Sequence, residues 1–91
     1  MNAQSIIKRR GRTEHYDERK LYGSVYAAAL TALHKESAAE RIAAQVCASI
    51  ATWMPHQKKI TSELLRNHVH ELLKQIDKET AFLYFTHLDI N

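Results

Sequence analysis

One stretch near the N-terminus decides the fold, and it reads Ile6-Ile7-Lys8-Arg9-Arg10-Gly11-Arg12-Thr13-Glu14-His15-Tyr16-Asp17. Its β-branched and aromatic residues favour strands, which we predict over residues 4–8 and 12–16. Between them, Gly11 can adopt the positive φ that a short hairpin loop needs, so the turn is predicted at Arg9-Arg10-Gly11. A lone two-stranded hairpin is barely stable in water. We therefore expect Ile6 or Ile7, together with Tyr16, to pack on the first helix.

Helix signals begin directly after the hairpin. Asp17 is the predicted N-cap of a first helix, because its carboxylate can accept a backbone N–H of the first turn. Apolar residues at helical spacing carry this helix to about Leu33. Ser37 and Glu40 form a capping-box pattern, which predicts the start of a second helix. That helix ends at Pro55, since proline cannot continue the hydrogen-bond pattern.

Two further helices complete the predicted fold. Thr61 or Ser62 is expected to cap the third helix and Asp77 the fourth. The fold class is α+β, with a small N-terminal β-hairpin packed on a four-helix bundle; a short third strand near Ile60 is an open alternative. The apolar residues of the four helices are predicted to be Leu21, Val25, Ala28 and Ala32, then Ile42, Val46 and Ile50, then Leu65, Val69, Leu72 and Ile76, and finally Ala81, Phe82, Phe85 and Leu88.

Length and composition set the limits on the class of protein. The 91 residues are expected to form one domain, residues 1–91, because neither half alone could build a workable core. The formal charge is only +3, yet four of the thirteen Lys and Arg residues fall within residues 8–12. The lone Cys47 cannot form an intrachain disulfide, and we interpret it as a small buried hydrophobic residue. No apolar run is long enough to span a bilayer, so we expect a cytoplasmic protein.

The chemistry of the hairpin suits a phosphorylated ligand. Phosphates bind converging cations, backbone N–H groups in a turn and helix N-termini. Lys8, Arg9 and Lys20 can supply the charge, and the turn at Gly11 allows close approach of the backbone. Glu14 would repel a phosphate but suits a base amino group or a ribose hydroxyl. A cationic end beside an acidic end is the pattern expected for a nucleotide.

These residues also resemble a known family. The segment Ile6-Ile7-Lys8-Arg9-Arg10-Gly11-Arg12-Thr13-Glu14-His15-Tyr16-Asp17-Glu18-Arg19-Lys20-Leu21 is similar to the opening of an ATP-cone domain. Ile60-Thr61-Ser62-Glu63-Leu64-Leu65 resembles the start of that family's third helix, and Ala81-Phe82-Leu83-Tyr84-Phe85 its aromatic last helix. The resemblance covers nearly the whole chain, although only the first motif is specific.

The resemblance implies a non-catalytic regulatory domain that binds ATP or dATP, with or without Mg²⁺, and changes its oligomeric state or its binding of a partner. ATP-cones of this kind occur in ribonucleotide reductases and in the repressor of reductase genes, so we expect a homo-oligomer or a partner from that system. The residues that the resemblance places at the nucleotide are Lys8, Arg9, Gly11 and Lys20 for the phosphates, Thr61, Ser62 and Arg66 on the same side, Glu14 and Asp17 at the adenine or sugar, and Ile6, Tyr16 and Leu21 around the base.

Two departures from the family pattern bear on this reading. Arg10 stands where the turn usually has an acidic or amide residue, which adds positive charge. The segment Tyr84-Phe85-Thr86-His87-Leu88-Asp89 has no Arg or Lys after the aromatic pair. A zinc ribbon and a reductase domain are absent from the sequence, and the domain is therefore expected to be free-standing or excised.

Other functions stay open or are disfavoured on the same residues. Arg10-Gly11-Arg12 is similar to the core of minor-groove-binding hooks, so a small basic nucleic-acid-binding domain is the alternative. No metal site is expected, because His68 and His70 project about 200° apart on a helix. His34 and His56 are interpreted as solvated residues at or near loops. The sequence has no nucleophile elbow, Walker loop or convergent carboxylate pair, so we do not expect an enzyme.

Overall fold

Four helices follow a small hairpin, which is the predicted α+β arrangement. The computed structural model describes residues 5–7 and 12–90, with side chains described through residue 86. The elements are β1 (Ser5–Ile7), β2 (Thr13–His15), α1 (Glu18–Thr31), α2 (Glu36–Trp53), α3 (Ser62–Ile76) and α4 (Lys78–Ile90), with a 3₁₀ turn at Met54–His56. Within these ranges no helix combines the length and apolar character that crossing a membrane requires.

The hairpin is antiparallel, and its second strand is shorter than the predicted residues 12–16; residues 4 and 8 of the predicted first strand lie outside the described residues. Ile6 pairs with Glu14, and Ile7 with Thr13. Ile6 turns inward and is buried in the core, whereas β2 is exposed along its length. The predicted turn at residues 9–11 lies outside the described residues. The first strand therefore anchors the hairpin, as expected from Ile6, and the second strand presents its side chains to solvent.

A backbone contact joins β1 to the residues just before α3. The N–H of Ile7 donates to the carbonyl oxygen of Ile60 at 2.9 Å, and Ile7 and Thr61 form an isolated parallel bridge. In the described residues this is a bridge and not a third strand. This bridge fixes the end of β1 beside the first turn of α3.

Three predicted helix caps are confirmed. Asp17 accepts the N–H of Arg19 at 3.0 Å, Thr61 accepts that of Leu64 at 2.9 Å, and Asp77 accepts that of Thr80 at 3.0 Å. Each cap satisfies a first-turn N–H that has no partner within its helix. Short polar residues before an apolar stripe therefore located the starts of α1, α3 and α4 correctly.

The predicted capping box of the second helix was wrong. The helix begins at Glu36, its N-cap is Lys35, and no side chain caps it, so Ser37 lies within the first turn. The cause lies upstream, where Leu33 adopts φ of 70° and α1 ends at Thr31. Hydrogen bonds from Leu33 N–H to Leu30 and from His34 N–H to Ala29 close α1, which is the Schellman arrangement. The chain then enters α2 earlier than the capping-box pattern predicts.

The predicted faces of α1 and α2 form the core. Cys47 is buried there, as interpreted, and burial raises the pKa of its thiol to about 11. The core residues of these helices are Leu21, Val25, Ala28 and Ala29 on α1, and Ala39, Ile42, Ala43, Val46, Cys47 and Ile50 on α2.

The face of α4 differs from its apolar pattern. Phe82 is 65% exposed, whereas Thr80, Ala81 and Tyr84 are buried. Thr80 can be buried because its hydroxyl hydrogen-bonds to the carboxylate of Asp77 at 2.5 Å. A polar residue with a local partner therefore takes the inward position that apolar periodicity had assigned to phenylalanine.

The two helical pairs are joined at the end away from the hairpin. There, His34 Nε2 lies 2.9 Å from Asp77 Oδ2, which connects the α1–α2 turn to the α3–α4 turn. The interpretation of His34 as a solvated residue was therefore wrong, since its side chain is half-buried against this carboxylate. Because the two turns share one end, α1 and α3 both begin at the opposite end, beside the hairpin.

Candidate functional site

A shallow groove follows the junction of β2 and α1. Its volume is about 480 Å³, and it is lined by the continuous segment from Glu14 to Lys20. This segment contains three carboxylates and two cations, so the groove is polar without a single dominant charge. It includes four of the predicted site residues, namely Glu14, Tyr16, Asp17 and Lys20.

Two helix N-termini lie at the hairpin end. Asp17 is the N-cap of α1, and Thr61 is the N-cap of α3, directly beside Ile7. Helix N-termini carry partial positive charge and unpaired N–H groups, which favour anions. Lys8 is the next residue after Ile7 in the sequence. In the sequence, the basic residues thus follow directly after the strand that meets the start of α3, and Lys20 is exposed on the first turn of α1.

Tyr16 bridges the hairpin and the core. It is half-buried and packs against the core cluster, and its hydroxyl oxygen is fully removed from solvent. Burial raises the pKa of this phenol, and the nearby Cys47, Glu18 and Tyr84 act in the same direction. The ring is therefore directed inward, toward α2 and α4, and Tyr16 is also one of the residues that line the groove.

Arg66 faces the fourth helix. Its guanidinium carbon lies 5.1 Å from the centroid of the Phe85 ring, a distance typical of a cation–π contact. Burial raises the pKa of the Tyr84 phenol to about 12, and Arg66 lies close enough to oppose this rise. Phe85 also stacks with His70 at a centroid distance of 4.5 Å. Arg66 is thus held between α3 and α4.

The structure gathers some of the predicted site residues and separates others. Thr61 and half-buried Ser62 lie at the first turn of α3, while Ile6 and Leu21 are core residues. Lys8, Arg9 and Gly11 lie outside the described residues. Sequence reasoning missed Tyr84, whose buried position near Arg66 and Tyr16 depends on packing between distant helices. It also missed His15, Glu18 and Arg19 as lining residues of the groove.

Comparison with known families agrees with this architecture. The family model of the ATP cone domain matches residues 4–85, nearly the whole chain. The chain belongs to the ATP-cone family. ATP-cones are nucleotide-binding regulatory domains, and membership supports a general allosteric role for this chain. No curated protein matches the sequence.

Two histidines on α3 of this ATP-cone, His68 and His70, stack on aromatic rings. His68 stacks on Trp53 with ring centroids 4.2 Å apart, and desolvation lowers the pKa of its imidazole. His70 stacks on Phe85 instead, so the two side chains diverge as their spacing predicts. Among residues 5–7 and 12–90 no group of three or more His, Cys, Asp or Glu side chains could hold a metal ion.

Proposed function

We propose that this ATP-cone binds ATP or dATP at the hairpin end and that occupancy changes its association with itself or with a partner. The observation that supports the proposal is the contact of Ile7 in β1 with Ile60 and Thr61 at the start of α3, since Lys8 follows Ile7 directly in the sequence. Lys8, Arg9 and the turn at Gly11 would then bind the phosphates together with the first turn of α3.

The phosphate side draws on both helices. Thr61 and Ser62 stand at the start of α3, and Lys20 on the first turn of α1 adds a flexible cation. Arg66 lies one turn into α3, where its contact with Phe85 restrains the guanidinium. Charge-assisted hydrogen bonds from such groups are roughly twice as strong as neutral ones. Mg²⁺ would neutralise phosphate charge in the same region, where it can bind through the phosphates and water.

The base and sugar side draws on the groove. Glu14 is exposed on β2, and Asp17 is half-buried at the start of α1. Carboxylates accept hydrogen bonds from an amino group or from ribose hydroxyls. Ile6, Tyr16 and Leu21 provide the apolar surface behind them, and all three pack in or against the core. The order of cationic and acidic residues along the hairpin therefore corresponds to the two ends of a nucleotide.

The regulatory part of the proposal concerns association. A ligand shifts an equilibrium only if it binds the two states with different affinity, so bound and free forms must differ in how they meet their partner. We propose that the partner is a second copy of the domain or a component of ribonucleotide reductase regulation, because the family resemblance points to that system. Sedimentation with and without ATP, alone and with a reductase subunit, tests this step.

Calorimetric titration tests the binding step. We expect saturable binding of ATP and dATP, with a fixed small number of nucleotides per chain at two salt concentrations. A nucleic-acid-binding hairpin would instead bind oligonucleotides with a steep salt dependence, because each phosphate contact releases counterions. Absence of ATP binding together with such salt-dependent DNA binding would contradict the proposal.

A further inference from the structure

The hydroxyl group of Tyr16 is a buried polar group that packing alone does not explain. Its oxygen has no solvent exposure, and no group within the described part of the chain lies at hydrogen-bond distance from it. Phenylalanine would fill the same space without this hydroxyl. Leaving a buried hydroxyl without a partner has an unfavourable effect equivalent to roughly a 5- to 100-fold change in an equilibrium constant. In this conformation, the burial of the Tyr16 hydroxyl is therefore energetically unfavourable.

The position of Tyr16 links the groove to the helices. In sequence it stands between His15, the last residue of β2, and Asp17, the N-cap of α1. Its ring packs against the core, in which Cys47 of α2 and Tyr84 of α4 are both buried. Because Tyr16 lies in the segment that joins β2 to α1, a movement of the hairpin relative to α1 changes the backbone conformation of this segment. The same movement would displace the phenol within its packing against α2 and α4.

We propose that nucleotide binding gives the Tyr16 hydroxyl a hydrogen-bond partner, which makes Tyr16 a positioning residue that couples occupancy of the groove to the packing of the hairpin on the helices. This inference rests on the proposed function. A hydroxyl that has a hydrogen-bond partner only in the bound state increases the affinity. The increase equals the difference in its free energy between the bound and free states. The partner is an acceptor or donor of the nucleotide or a buried group such as the Tyr84 hydroxyl, reached when the hairpin shifts.

The test is Tyr16→Phe, which keeps the ring and removes only the hydroxyl. We expect the affinity for ATP, measured by calorimetry, to fall by roughly 5- to 100-fold. The unfolding temperature without nucleotide should stay the same or rise, because the cost of the buried hydroxyl is gone. If Tyr16 had a purely structural role, the affinity for ATP and the unfolding temperature would both fall.

Tyr26→Phe is the matched control. Tyr26 is also half-buried on α1, but its hydroxyl donates to Glu36 at 3.5 Å, far from the groove. Its removal should leave the affinity for ATP unchanged. If wild-type protein binds ATP and Tyr16→Phe binds it within about twofold of wild type, the inference is overturned while the proposed function stands. If wild-type protein does not bind ATP, the proposed function fails and this inference fails with it.

Discussion

The two ends of the helical bundle are built in different ways. At the end away from the hairpin, two turns are connected by the His34–Asp77 contact, and Asp77 also binds the backbone and side chain of Thr80. At the hairpin end, by contrast, a charged groove and the starts of α1 and α3 lie together. The first end joins its polar side chains across two turns, whereas the second has exposed charged side chains, such as Glu14 and Lys20, along a groove. Under the proposed function, the first end contributes to stability and the second end binds the nucleotide.

The largest effect should come from the core that both ends share. Leu73 is completely buried on α3, so Leu73→Ala leaves a cavity and should lower the free energy of unfolding by about 2–5 kcal/mol. Chemical denaturation measures this loss. At a temperature where the variant is folded, its affinity for ATP should match that of wild type. An affinity lowered as strongly as the stability would show that core and site are not separable.

The Asp77 connection should make stability depend on acid pH. Hydrogen bonds from Thr80, and then from His34, lower the pKa of this carboxyl below 3.8. A carboxyl with a lowered pKa stabilises the fold above its unfolded pKa, and this contribution is lost as pH falls through the folded value. Asp77→Asn should lower the free energy of unfolding at pH 7 by about 1–2 kcal/mol, since asparagine still caps the helix.

The acid arm of this experiment compares two carboxylates. Between neutral and acid pH, the free energy of unfolding should change less for Asp77→Asn than for wild type. Glu71→Gln serves as the control, because Glu71 pairs with Lys74 on the exposed surface of α3 and such pairs contribute little. If both variants lose the same amount of stability, the connection between the two turns has no special role.

The smallest predicted effect concerns the turn beside that connection. Leu33 is 90% exposed and adopts a left-handed conformation that glycine reaches without strain. Leu33→Gly should therefore raise the free energy of unfolding by about 0.5–1 kcal/mol. Leu33→Ala keeps the conformational strain and should leave stability within about 0.5 kcal/mol of wild type, as for an ordinary surface change. Thermal unfolding of the two variants separates backbone strain from loss of the exposed leucine side chain.

Local signals predicted most of the fold. The caps at Asp17, Thr61 and Asp77 were predicted because a cap depends on residues only two or three positions away. The start of α2 was not, because the left-handed conformation of Leu33 decides it and no glycine marks that position. Contacts such as His34 with Asp77 join residues 43 positions apart, and a single sequence holds no signal for them.

The site was predicted more by resemblance than by physical pattern. The cluster of cations at residues 8–12 indicated an anionic ligand, and Glu14 indicated a nucleotide. Packing of Tyr16 on the helices was expected, but its proximity to Cys47 of α2 and Tyr84 of α4 was not, and the contact of Arg66 with Phe85 depends on how α3 and α4 pack, which periodicity does not specify. Chemistry could thus be inferred from residue types, while the orientation of each side chain required the structure.

Calorimetric titration of ATP into matched variants tests the central claim most directly, namely that the basic segment after β1 binds the nucleotide. Lys8→Ala and Arg9→Ala should each weaken binding by about 1.5–3 kcal/mol, the scale of a charge-assisted contact, without changing the unfolding temperature. Arg41→Ala removes an exposed cation from α2 and should bind ATP as wild type does. Equal affinities in all three variants, or equal losses, would contradict the assignment of the nucleotide site to the hairpin.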